Sequence, residues 1–104
     1  MIHITVKYDG PNIVGCTITG HANAAKKGED LVCAGVSAIS VGTLNALVSE
    51  CEDTIVETMN EGFVDIQVQH IQNNQQMILK TMIIQLETIQ AAHPNYIKIL
   101  KQEV

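Results

Sequence analysis

The chain has no arginine and no tryptophan, and aromatic residues make up only 3% of its 104 positions. Its six basic residues are all lysines, set against eleven acidic ones, for a formal charge of −5. Binding to duplex nucleic acid rests on neutralising phosphates, for which arginine is the preferred bidentate partner. Direct nucleic-acid binding is therefore not expected, and an unaided membrane-surface role is excluded on the same ground. Cysteine is sparse: Cys16, Cys33 and Cys51 show no CxxC spacing, which argues against a disulfide framework and a zinc ribbon. His3, His70 and His93 share no ligand spacing, so neither a metal nor another cofactor is expected. The opening MIHITVKYDG has no basic segment followed by an apolar one, so no signal peptide is expected. Together these absences predict a reducing, cytoplasmic setting.

One stretch does look like a membrane span. Residues 31–49 carry no charge, a length sufficient to cross a bilayer. Gly35, Ser37, Ser40, Gly42, Thr43, Asn45 and Ser49 dilute it, and no basic cluster flanks it. The pattern predicts a buried core helix and no membrane partner.

What is present is globular. Hydrophobic residues reach 46% and charged ones 16%, enough to build a core, and 104 residues suit one domain. Ile2, Ile4, Val6 and Tyr8 alternate with polar residues, as do Val14, Cys16 and Ile18. The turn residues Asp9-Gly10-Pro11-Asn12 between them predict an antiparallel hairpin. Residues 20–30 read as a loop, with Asp30 as the N-cap of a helix running to about Ser49. Gly35, Ala38, Gly42 and Ala46 form one narrow stripe on that helix, suited to close approach by another element. A second hairpin is predicted over residues 54–69, turning at Asn60-Glu61-Gly62. Asn73 or Asn74 then caps a helix whose core face is Ile78, Leu79, Met82, Ile83, Leu86 and Ile89, ending at His93-Pro94. A last strand spans residues 96–100, with a frayed tail beyond. The order ββαββαβ is an α+β fold, two helices packed on a mainly antiparallel sheet.

The chemistry concentrates near the first helix. With Asp30 as cap, Cys33 stands at the helix start, where the positive end of the macrodipole and orphan N–H groups favour an anion. The thiolate is the nucleophilic form of cysteine, and the same N–H groups can stabilise an oxyanion. Free cysteines are more often packing residues, so position alone leaves both readings open. His21 shifts the balance. It follows the second strand directly, after Gly20 as a hinge, and the topology brings a strand end and the next helix start to one sheet edge. A cysteine and a histidine there make the minimal nucleophile–base pair of a cysteine hydrolase. Cys16 falls on the inward phase of its strand, and Cys51, beside Glu50 and Glu52, lacks an activating positive setting. The acidic group Glu50, Glu52, Asp53 and Glu57 is a solvated face or a surface for a basic substrate.

Two segments carry a resemblance. Gly20-His21-Ala22 is followed by Gly28, Asp30, Leu31, Val32, Cys33, Ala34, Val36, Ser37 and Ala38 in the pattern G-x-D-(hydrophobic)-V-C-A-x-V-S-A. Together they resemble the ribosomal-processing cysteine protease (Prp) family across the length of the chain. The resemblance implies removal of a short N-terminal extension from a large-subunit ribosomal protein precursor by a cytoplasmic homodimer with a mobile loop between the motifs. Cys33 would be the nucleophile and His21 the general base and acid, with Gly20, Asp30, Ala34 and Ser37 supporting. Asp30 either orients His21 or caps the helix. Ser37 either hydrogen-bonds the active-site loop or back-bonds to its own helix. Residues 22–29 are expected to form a lid over substrate. The sequence departs from the family pattern at Gly35 and at Asn23-Ala24. Two other readings stay open: a non-enzymatic ribosome-assembly binder, and a thiol redox sensor acting through Cys33. Homodimerisation is expected from the small-residue stripe and the wide apolar surface of the second helix, with Ile84 at the interface.

Overall fold

The computed structural model describes residues 1–20 and 27–104, and of residues 27–30 the main chain alone. His21 and the greater part of the expected lid lie outside the described residues. The chain runs β1 (Ile2–Asp9), β2 (Asn12–Thr19), α1 (Lys27–Cys51), a 3-10 turn (Glu52–Thr54), β3 (Ile55–Asn60), β4 (Phe63–Val68), α2 (Asn73–Ala92) and β5 (Ile97–Glu103). The strands form one sheet in the order β3-β4-β2-β1-β5. All neighbours are antiparallel except β1 and β5, which run parallel. The sheet is therefore mixed, and the ββαββαβ order holds.

Alternation works along β1, where Ile2, Ile4 and Val6 are buried. Along β2 it slips at Val14. Lys7 faces Gly15 and Tyr8 faces Ile13, leaving Val14 without a partner on β1. This bulge reverses the phase, so Ile13 is buried while Val14 is only half-buried. The tail is not frayed either. β5 continues to Glu103 because β1 offers it a partner as far as Tyr8, and the Val104 N–H donates to the Tyr8 carbonyl at 2.9 Å.

The helices cover one face of the sheet. Val32, Val36, Leu44 and Leu47 of α1 meet Leu79, Met82, Ile83 and Leu86 of α2 in a core floored by Ile4, Cys16, Ile18, Ile66 and Ile97. Each such side chain contributes roughly 1.5–3 kcal/mol on burial. A segment of α1 is long and apolar enough to cross a membrane, but it packs this core with its apolar side.

α1 begins three residues before Asp30, so Asp30 is not its N-cap and Lys27 to Glu29 are not loop. Gly28 lowers helix propensity without forbidding the conformation, and acidic residues suit the positive end of a helix. In α2 the cap is Gln72, not Asn73 or Asn74, and the Gln75 side-chain oxygen accepts the Gln72 N–H at 3.4 Å. The helix ends as expected, with the His93 N–H bonded to the Ile89 carbonyl.

At the start of α2 two glutamines are buried, which hydrophobic periodicity did not anticipate. The Gln76 amide accepts from the Ile13 N–H at 2.7 Å and donates to the Ile13 carbonyl at 2.8 Å. It takes the place of a strand where β4 no longer reaches. The Gln75 amide donates to the Thr54 hydroxyl at 2.6 Å and to the His70 carbonyl at 3.0 Å.

Candidate active site

At the opposite end of the sheet, the first half of α1 stands over the end of β2 and the β3–β4 turn. Between them lies a cleft of about 160 Å³. Helical spacing places Cys33, Val36, Ser37, Ser40 and Val41 on its α1 side. Ile2 and Ile18 form the floor, Gly20 stands at the rim, and Met59, Asn60, Gly62, Phe63 and Val64 close the far side. Cys33 is half-buried and packs against the core, so its sulfur is held in the wall of a mainly apolar cavity.

Cys33 is the seventh residue of α1, not the third. The orphan N–H groups of a helix belong to its first four residues, and the macrodipole effect fades beyond the first turn. The expectation of a thiolate and an oxyanion held by the helix start is therefore corrected.

Gly20 is where the chain leaves β2 towards His21. Its φ of +89° lies in the region that only glycine adopts readily, and a Cβ there would stand 2.5 Å from the Met1 carbonyl oxygen. Its N–H donates to the Gly62 carbonyl at 3.0 Å. The residue read as a hinge is thus a close-packed, hydrogen-bonded corner at the cleft rim.

The other supporting residues divide. Ser37 lines the cleft, and its hydroxyl bonds no described residue, so the back-bonded reading is wrong for it. Back-bonding falls instead on Ser40, to the Val36 carbonyl at 2.7 Å, and on Thr43, to the Ile39 carbonyl at 2.6 Å. Ala34 is exposed and does not line the cleft. The Asp30 side chain lies outside the described residues; only its capping role is removed.

Cys16 is core, as its strand phase implies. Burial, reinforced by the nearby Asp65 carboxylate, pushes its thiol up to about 12. Cys51 is buried as well. The far wall from Met59 to Val64 had no sequence signal beyond the turn glycine, because nothing local shows that a second hairpin will stand opposite α1.

Four matches to known proteins bear on this arrangement. The family model described as cysteine protease Prp matches residues 1–98. A Staphylococcus aureus protein named ribosomal processing cysteine protease Prp is 33% identical over 102 residues, covering 94% of each chain. The S. aureus Prp structure with a covalently linked product peptide superposes with a TM-score of 0.88 at 26% identity, covering 98% of this chain and 100% of that one. The corresponding structure with a substrate peptide gives 0.85 at 25% identity, with the same coverage. With its fold and nearly its whole length matched, the chain belongs to the Prp family of ribosomal-processing cysteine proteases.

Proposed function

We propose that this protein removes a short N-terminal extension from a large-subunit ribosomal protein precursor, with Cys33 as nucleophile and His21 as base. The observation that carries this reading is the cleft. A half-buried thiol forms one wall, and Gly20, the residue before His21, is fixed at the rim. The Cys33 sulfur adds to the scissile carbonyl carbon as His21 takes the thiol proton. The C–N bond then breaks, and His21 delivers that proton to the leaving amine. Water, deprotonated by His21, hydrolyses the thioester and restores the thiol. The apolar lining supports a hydrophobic residue beside the scissile bond. Incubation of the purified precursor with this protein should give one shortened product, and Cys33→Ala and His21→Ala should each abolish it. Processing at a normal rate by Cys33→Ala would refute the mechanism.

The protein acts in the cytoplasm as a homodimer on this reading. Ile84 is 63% exposed on α2, and a shallow groove of about 460 Å³ between the helices is lined by Ala38, Gly42, Met77 and Thr81 among others. At Gly35 the small stripe serves the protomer itself, where an added Cβ would meet Ile89 Cδ1 at 3.1 Å. At Gly42 nothing lies within 4 Å, which leaves room for a second copy. Sedimentation at micromolar concentration should give twice the chain mass, and Ile84→Glu should shift it towards one chain mass. Cell fractionation tests the compartment.

A further inference from the structure

Met59 and Asn60, which close the cleft, are the last residues of β3, and β3 is the outermost strand on its side of the sheet. The ladder shows which of its main-chain groups are used. The Gly20 N–H bonds the Gly62 carbonyl, so even-numbered residues of β4 direct their main-chain groups to β2. Phe63, Asp65 and Gln67 therefore turn theirs to Asn60, Thr58 and Val56. The bond from the Gln69 N–H to the Thr54 carbonyl continues the same parity. The main-chain groups of Ile55, Glu57 and Met59 are left facing outward, and no strand among the described residues pairs with them.

The two sheet edges differ in protection. β5 carries Lys98 and Lys101, the latter 3.3 Å from Glu87, and edge lysines discourage strand addition. β3 has no lysine, proline or glycine, and its Val56 and Met59 are 47% and 54% exposed. Its one charge, Glu57, shares the helix-facing side with Met59, about 7 Å along the strand. Among the described residues Glu57 makes no ion pair. The surroundings are acidic too: residues 31–79 contain six Asp or Glu and no lysine.

We propose that the β3 edge is a strand-addition site for the substrate. An extended segment running out of the cleft hydrogen-bonds to Ile55, Glu57 and Met59, and alternate side chains project to the helix side. One enters the cleft beside Met59, and a lysine or arginine two residues away meets Glu57. Strand addition gives affinity through the main chain and selectivity through every second side chain. A ribosomal protein, which binds RNA phosphates, supplies the basic residue. This inference rests on the protease reading above.

The test is a synthetic peptide spanning the cleavage site, carrying one N-methylated amide at a time, with kcat/KM measured on the active protein and binding on Cys33→Ala. Away from the scissile bond, every second methylation on one side should weaken binding about three- to tenfold, with the intervening ones neutral. Glu57→Lys should raise KM about five- to tenfold at unchanged kcat, and exchanging the peptide's basic residue for glutamate should restore it. A cleaved peptide with a flat or contiguous methylation profile overturns the strand site and leaves the protease standing. A Glu57→Lys change confined to aggregation or self-association assigns the edge to a guard or a second copy, and overturns it too. A native precursor that is neither bound nor cut overturns both readings.

Discussion

At one end of the sheet, a single glutamine amide satisfies both main-chain groups of Ile13, and a second ties α2 to Thr54 and His70. At the other, α1 and the β3–β4 hairpin stand apart around a cavity of about 160 Å³ with a thiol in its wall. Both ends lie under the same helical layer; among the described residues the buried glutamine amides belong to the first, and the cavity with its thiol to the second. A buried, fully satisfied amide network specifies how the helix seats. A cavity forfeits packing and leaves room for a ligand. The difference teaches that stability and reactivity are separable here, and substitutions at the two ends should report on different quantities.

The largest contrast sets Cys33→Ala against Gln76→Ala. The first should lower cleavage by roughly a thousandfold or more with little change in Tm. The second strands the buried Ile13 N–H and carbonyl and should cost about 2–5 kcal/mol, lowering Tm by roughly 10 °C or more. Well below its Tm, Gln76→Ala should still cleave at the native rate; a loss in kcat would break the separation. Next is Gly20→Ala, where both the left-handed φ and the Met1 carbonyl oppose a side chain. A cost of about 1–3 kcal/mol is expected, together with slower cleavage, because this corner launches the chain towards His21. Thermal melts and progress curves on one preparation would show whether the two losses go together.

Cys16 gives a smaller, pH-dependent effect between the two ends. Its folded pKa of about 12 stands above the unfolded value of 9.0, so the stability it contributes is present below pH 9 and is lost as pH rises towards 12. At pH 10 the loss should be on the order of 1 kcal/mol, visible as a difference from Cys16→Ala in denaturant titrations at pH 8 and 10. Equal pH dependence in the two proteins would contradict it. The smallest effect belongs to Gly42→Ala, mid-helix and with nothing within 4 Å: a gain of up to about 1 kcal/mol in the isolated protomer. A loss of dimer mass in the same variant would show that the open groove is occupied by a second copy.

Much of this architecture is legible from local pattern. Alternation in β1 and the 3.6-residue spacing of Leu79, Met82, Ile83 and Leu86 follow directly from burial of one face. What escapes are features decided by a distant partner. Val14 changes phase because the ladder with β1 slips there, and Gln75 and Gln76 are buried because main-chain groups of other elements await them. The early start of α1 escaped because residues 27–30 carry no apolar period, and Asp30 offered a suitable N-cap where the helix had already begun. At the site, Cys33 and the corner at Gly20 were visible as sequence motifs. The wall from Met59 to Val64 was not, since it comes to Cys33 only through sheet order.

The parallel pairing of β1 with β5 also decides how the protein can be handled. Both strands start at the cleft end, where the Met1 carbonyl occupies the space a Gly20 side chain would need, and both finish at the far end, where Val104 bonds Tyr8. A purification tag fused ahead of Met1 therefore starts one residue from Ile2 in the cleft lining and should raise KM relative to a carboxy-terminal fusion. The same tag placed after Val104 hangs from the anchored end of the sheet and leaves the thiol clear, so kinetic work belongs on carboxy-terminal fusions.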